Sequence, residues 1–270
     1  MSLTIISLGH GGGVPVFPYG TAGNTNFALV PGRHEGPVVG ILRSNPYWLI
    51  DCGPETLMRI AGTGQIPEPM VQNLQGVIVT HCHGDHSGGL YGLAWRTHFI
   101  EERKVNLVYR EELIPFLEDQ LIEIQYLSGD TPRVPWTYYW ETVACSPTRI
   151  WMDLGDFKIC FFKVDHNIPG FPSFGVEVQT VEGGRAVFSG DSAHPIDAHR
   201  FSGADVVFHD VQFYTSDPRV AVHCPYEALE TAVSPELRKK VHLAHTGQKP
   251  PGAALEAFSW ASLDTIVVVD

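Results

Sequence analysis

The chain has 270 residues, 44% of them hydrophobic, enough for one domain with a sizeable core, and no linker-like stretch divides it. Its 18 Lys and Arg against 30 Asp and Glu leave a formal charge of −12, the wrong sign for a surface that grips nucleic acid along a basic stripe. Five cysteines, Cys52, Cys82, Cys145, Cys160 and Cys224, are odd in number and lack close paired spacing, which argues against a disulfide framework and for a reducing compartment. No segment reaches the roughly 20 apolar residues of a membrane span, and residues 3–8 do not read as a leader, so no membrane partner is expected and the cytoplasm is the expected location.

In chain order, a β-rich apolar run at 4–8 leads into Gly9-His10-Gly11-Gly12-Gly13 and then Val14-Pro15. Consecutive backbone N–H groups in such a loop can line an anion. No Gly-Lys-Ser/Thr pair and no readable helix follow, so a plain turn reads equally well, with His10 either behind the site or exposed. Asn24-Thr25-Asn26 lines the site or precedes a strand at 27–30. Strands are expected at 47–50, 77–79, 105–109, 159–164, 174–178, 186–188, 206–208 and 266–269, and helices at 55–61, 88–99, 111–124, 226–233 and 253–259. An aromatic-rich insertion is expected near 128–149, where Trp136, Tyr138, Tyr139 and Trp140 are flanked by Tyr126 and Trp151, with Pro132 and Pro135 interspersed. It reads as a lid over a ring, a homodimer contact or ordinary core; as a lid it brings Arg133 and Arg149 to a phosphate.

The chemistry concentrates in Thr80-His81-Cys82-His83-Gly84-Asp85-His86, directly after Val77-Ile78-Val79. A strand ending here presents His81 and His83 on one side, and Gly84 lets the chain turn so that Asp85 and His86 face back. Catalytic zinc usually takes three protein ligands and keeps a place for water. Four ligands therefore imply one closed site or two open sites sharing the motif. Downstream, candidate ligands follow apolar runs: His166 in Lys163-Val164-Asp165-His166-Asn167-Ile168-Pro169, Asp191 in Ser189-Gly190-Asp191-Ser192, and His245 after Val241-His242-Leu243-Ala244.

The His-x-His-x-Asp-His spacing together with these later residues resembles the metallo-β-lactamase superfamily over nearly the whole chain. Within it, the glycine-rich first loop, Asp165 to Pro169 followed by Phe174-Gly175, Ser189-Gly190-Asp191-Ser192, Phe208-His209-Asp210-Val211, and His223 ahead of Glu227-Ala228 resemble the ribonuclease Z and cyclic phosphodiesterase branch. The resemblance implies an α/β fold, a four-layer αββα sandwich of two mixed sheets flanked by helices, as one domain over 1–270. It implies that His81, His83 and His166 hold one ion, that Asp85, His86 and His245 hold another, and that Asp191 bridges them. Two divalent ions are expected, with zinc first and manganese or iron as alternatives, since imidazole suits zinc and iron and carboxylate admits manganese. By the same resemblance His223 protonates the leaving alkoxide and Asp210 orients it, while Asp85 also steers the attacking water. The plainer reading of His223 is a residue ahead of a helix beginning near Pro225, and Cys224-Pro225-Tyr226 departs from the small polar residues usual there.

A small nucleotide-like or cyclic phosphate ester is the expected substrate. The acidic balance, and the lack of the long basic arm with which ribonuclease Z holds tRNA, place tRNA 3′ processing behind it. Lactone, thioester and β-lactam hydrolysis and a non-catalytic metal sensor complete the alternatives. A homodimer is compatible with the aromatic stretch.

Overall fold

The computed structural model describes residues 1–11, 25–61, 70–122, 134–148, 151–213, 221–247 and 249–270. Gly12, Gly13 and Asn24, the end of the helix expected at 111–124, and Tyr126, Arg133 and Arg149 lie outside the described residues.

Fourteen described strands form two seven-stranded sheets. The first contains β1 (Leu3–Ser7), β2 (Phe27–Pro31), β3 (Tyr47–Ile50), β4 (Leu74–Ile78), β5 (Asn106–Arg110), β6 (Glu141–Cys145) and β14 (Ile266–Val269), in the order β14-β1-β2-β3-β4-β5-β6. The second contains β7 (Met152–Asp153), β8 (Phe157–Val164), β9 (Ser173–Thr180), β10 (Arg185–Phe188), β11 (Val206–Asp210), β12 (Val241–Ala244) and β13 (Ser259–Trp260), in the order β13-β12-β11-β10-β9-β8-β7. In both sheets three antiparallel pairings are followed by three parallel ones.

Parallel neighbours need a crossover, and here helices make them. In the first sheet α2 (Pro54–Ala61), α3 (Gly84–Ser87), α4 (Leu90–Phe99) and α5 (Ile114–Gln120) lie in these connections; in the second, α6 (Ala198–Gly203), α7 (Tyr226–Ala232) and α8 (Gly252–Ala257) do. Helices outside two facing sheets give the four-layer sandwich expected from the sequence. Covered on both faces, β1, β3 and β11 are buried along their whole length, which is why they read as continuous apolar runs; β8, nearer an antiparallel edge, alternates. Between the sheets Phe27 meets Phe188 and Phe208 at ring-centroid distances of 5.0 and 4.8 Å, an aromatic floor beneath the strand ends.

The helix expected at 88–99 is α4, and a separate short helix, α3, precedes it within the histidine-rich stretch. Gly89 lies between them because a Cβ there would come within 2.6 Å of the Gly53 carbonyl oxygen, so α4 packs directly on the turn after β3. The helix α1 (Val38–Ser44), α6 and the edge strand β6 were not read from the sequence. β6 falls inside the expected insertion, and Trp136, Tyr139 and Trp140 just before it are buried, so these residues are core rather than lid; Tyr138 remains exposed.

Candidate metal centre

The side chains singled out in the sequence converge at one end of the sandwich. His81, Asp85, His86, His166, Asp191, Asp210 and His245 are all buried, and His83 and His223 are partly so. Most follow a strand end, as binding residues do at the carboxyl ends of open sheets; Asp210 closes β11 itself and His223 stands just ahead of α7. β4 ends at Ile78, however, so His81 and His83 are not strand positions. They approach each other, with ring centroids 4.9 Å apart, through an irregular turn, and Asp85 and His86 come from the short α3 beyond it. Gly190, with φ +61°, has no room for a Cβ beside the Phe174 carbonyl and turns Asp191 inward. Asp51, Asn167 and His245 also hold left-handed backbone, with φ of 63°, 56° and 55°, a conformation uncommon outside glycine.

Asp191 stands at the middle. Its Oδ2 lies 3.6 Å from His81 Nε2 and 3.8 Å from His166 Nε2, whereas its Oδ1 lies 3.2 Å from His86 Nε2 and 3.7 Å from His245 Nε2. The two carboxylate oxygens therefore face different sets of imidazoles. His83 joins the first set through Nδ1, 3.1 Å from His166 Nε2, and Asp85 joins the second through Oδ2, 3.2 Å from His245 Nε2. The residues that the family resemblance assigns to each ion are thus neighbours here.

The surroundings fix which nitrogens carry lone pairs. His166 Nδ1 donates to the Val222 carbonyl at 2.6 Å, and His86 Nδ1 donates to Asp51 Oδ2 at 2.8 Å. Thr80 Oγ1 spends its proton on Asp51 Oδ2 and accepts from His81 Nδ1 at 3.0 Å. Nε2 of His81 and His166 is thereby an acceptor pointing at Asp191 or at another ring nitrogen, and His81 Nε2 is buried with no hydrogen-bond partner, whereas His86, against the penalty of burial, is raised well above the ordinary imidazole range by Asp191 and Asp51 and faces Asp191 Oδ1 at 3.2 Å. Lone pairs facing one another at such distances are stable only with a positive charge among them. Burial pushes the His81, His83 and His166 rings below the ordinary imidazole range, which favours the neutral form that ligates a cation. Against the burial penalty, the surrounding histidines hold Asp191 and Asp85 well below the usual carboxylate range. Four overlapping groups of these side chains bring ligand atoms close enough to share a cation, among them His81, His83, His166 and Asp191, and Asp85, His86 and His245, and their nitrogen and carboxylate-oxygen donors fit divalent cations.

Asp51 was missed in the sequence, although Ile50-Asp51-Cys52-Gly53 repeats the pattern of an acidic residue after a strand and near a glycine. Its carboxylate takes hydrogen bonds from the Thr80 backbone N–H, the Thr80 hydroxyl and His86, so it orients one imidazole directly and His81 through the threonine.

His223 sits beside the second set. Its Nδ1 donates to Asp210 Oδ2 at 2.9 Å and is 3.8 Å from Asp191, and its ring is 4.6 Å from that of His245. Burial works against its charge, but the Asp210 carboxylate prevails and raises its pKa to about 9. Asp210 is itself held by the Ser192 backbone N–H at 3.0 Å. Of the first loop, the described part places His10 edge-on against Trp260 with centroids 4.9 Å apart, a packing contact. Asn26 closes the Gly53 turn through its side-chain oxygen, and Thr25 bonds Gly11.

A profile of the Anti-Pycsar protein Apyc1 family matches residues 41–259. The Anti-Pycsar protein Apyc1 of Bacillus phage 010DV004 is 27% identical over 221 residues, covering 76% of this chain and 79% of the phage protein. A ribonuclease Z of Methanococcus maripaludis strain C6 is 24% identical over 143 residues, 53% of this chain; the chain spans only 44% of that relative's length. Among solved structures, the metallo-β-lactamase fold protein YhfI from Bacillus subtilis superimposes with a TM-score of 0.67 at 17% identity, over 99% of both chains. The architecture is the metallo-β-lactamase fold.

Proposed function

The chain belongs to the Anti-Pycsar protein Apyc1 family, and on that premise we propose that it is a binuclear metal-dependent phosphodiesterase acting on a small nucleotide-like or cyclic phosphate ester. On this reading His81, His83 and His166 would hold one cation, Asp85, His86 and His245 the other, and Asp191 would contribute to both. When bound, such a pair supplies an activated water at neutral pH and offsets charge on the phosphoryl oxygens. The chain's own residues supply the rest. Asp85 accepts a hydrogen bond from the attacking water and turns its lone pair toward phosphorus. The ester oxygen leaves as an alkoxide that needs a proton, and His223 donates it from Nε2 while Asp210 holds Nδ1.

The observation that carries an ester with an alkoxide leaving group over a thioester is this His223–Asp210 pair, partly exposed at the histidine and buried at the carboxylate. A thiolate leaves without a proton and would leave the pair idle. The ribonuclease Z relatives favour tRNA as a second reading, and the chain's charge of −12 stands against it. Zinc is the expected metal.

The test is metal-loaded protein offered a nucleoside cyclic phosphate, a tRNA with a 3′ trailer, a lactone and a thioester, beside elemental analysis. Two equivalents of metal and turnover of the cyclic phosphate are expected. Protein without stoichiometric transition metal, or turnover confined to the carboxylic esters, overturns the assignment.

A further inference from the structure

The segment that carries His223 is held from several directions. Asp210 takes the ring N–H, and the Gln212 backbone closes on the residues that follow, donating to the Cys224 carbonyl at 2.9 Å and accepting from the Tyr226 N–H at 3.1 Å. A further hold comes from the loop after β8. His166 Nδ1 donates to the Val222 carbonyl and Asn167 Nδ2 to the Ala221 carbonyl, each at 2.6 Å. Two consecutive carbonyls just ahead of His223 are thus gripped by two consecutive side chains, and the His166 and His223 rings lie 5.5 Å apart.

The two grips differ in kind. His166 is a candidate ligand, and its bond to Val222 also fixes its own ring. Asn167 is not among the candidate ligands, yet its place is closely specified. Its backbone is left-handed, with φ 56°, and its N–H donates to Asp165 Oδ1 at 2.8 Å, a local turn that brackets His166. The amide then reaches Ala221, which is buried. The position asks for a residue that tolerates left-handed backbone and also brings a side-chain donor. Asparagine meets both demands; glycine and aspartate tolerate the backbone but cannot donate.

We propose that Asn167 is a positioning residue: by holding the Ala221 carbonyl it fixes the distance between the proton donor His223 and the centre to which His166 belongs. It touches no reacting atom and acts through the segment from Ala221 to His223. The proposal rests on the reading of His223 as the acid and adds what sets that acid in place. Its consequence is selective. A sugar alkoxide needs the proton, whereas p-nitrophenolate leaves without one, so a displaced donor costs the first far more than the second.

Metal-loaded Asn167→Gly and Asn167→Asp proteins are compared with the unmodified one on a nucleoside cyclic phosphate and on bis(p-nitrophenyl) phosphate, beside elemental analysis. The ratio of kcat for the cyclic phosphate to kcat for the p-nitrophenyl diester should fall about 10- to 100-fold, the scale of an ångström-sized misplacement. Either variant gives this answer should the other fail to fold. A ratio equal to the unmodified protein's, whatever the absolute rates, overturns the proposal; so does loss of metal, which would make Asn167 a support of the ligands instead. A second readout needs no turnover. In proton NMR of the metal-free protein, the His223 Nδ1–H that donates to Asp210 should exchange with water faster in Asn167→Gly than in the unmodified protein, and no difference between the two overturns the proposal. Should the unmodified protein hydrolyse neither diester, the functional reading fails, and this exchange rate alone decides whether Asn167 places His223.

Discussion

In the first sheet one short stretch, His81 to His86, carries four of the candidate ligands, whereas in the second His166, Asp191, Asp210 and His245 arrive singly from the ends of β8, β10, β11 and β12. The two sheets share one pairing scheme, so the difference is not one of topology. It lies in the connections. The turn after β4 continues into α3 and folds four side chains onto one point, while each strand end of the second sheet delivers one side chain and leaves in its own crossover. Their supports differ accordingly. On the first side Asp51 and Thr80 orient His81 and His86 together; on the second Asp210 serves His223 and faces His245.

The largest expected effect comes from breaking the residue that joins the two sides. Asp191→Asn removes the charge facing both imidazole sets; elemental analysis should show loss of at least one metal equivalent, and hydrolysis should drop to background. Retention of both metals with normal turnover would remove Asp191 from the centre. Next, His223→Ala should cost about 10²- to 10⁴-fold in kcat on a phosphate diester while metal content stays intact, separating the proton donor from the ligands around it. Its pH profile carries the sign. A raised pKa means the proton is present at neutral pH and lost as pH rises through that value, so activity should fall on an alkaline limb. Cations bound nearby place that limb below the value of about 9 that Asp210 sets without them. The variant should lack the limb. Smallest is Asp51→Asn, which leaves every ligand in place and loosens two of them; metal affinity measured by competition with a chelator should weaken about 10- to 100-fold. An affinity equal to the unmodified protein's would make the Asp51 contacts merely structural.

The same contrast governs what could be read before the fold was known. The stretch from His81 to His86 announces itself because its ligands are local in sequence. Many strands were legible because covered strands leave continuous apolar runs, while their arrangement as a sandwich came from the family resemblance. His166, Asp191 and His245 were each weak, and only their order along the chain, matched to a known family, gave them meaning. Asp51 had the same strand-end pattern but no partner in sequence; its role depends on Thr80 and His86, which reach it only in space. The aromatic segment was ambiguous for a related reason. Trp136 and Tyr139 suit a lid, an interface or a core equally, and only the pairing of β6 with β5 puts them inside. The alternation argument for His81 and His83 gave the right neighbours by a route the chain does not take, since the strand stops before them.

One carboxylate in the second half has a consequence for control. Asp210 offers Oδ2 to His223 and turns Oδ1 toward His245 Nδ1, 3.5 Å away. A cation held by His245 would therefore act on the same carboxylate that orients His223, so that metal loading and the acid's hold on its proton would be linked through Asp210.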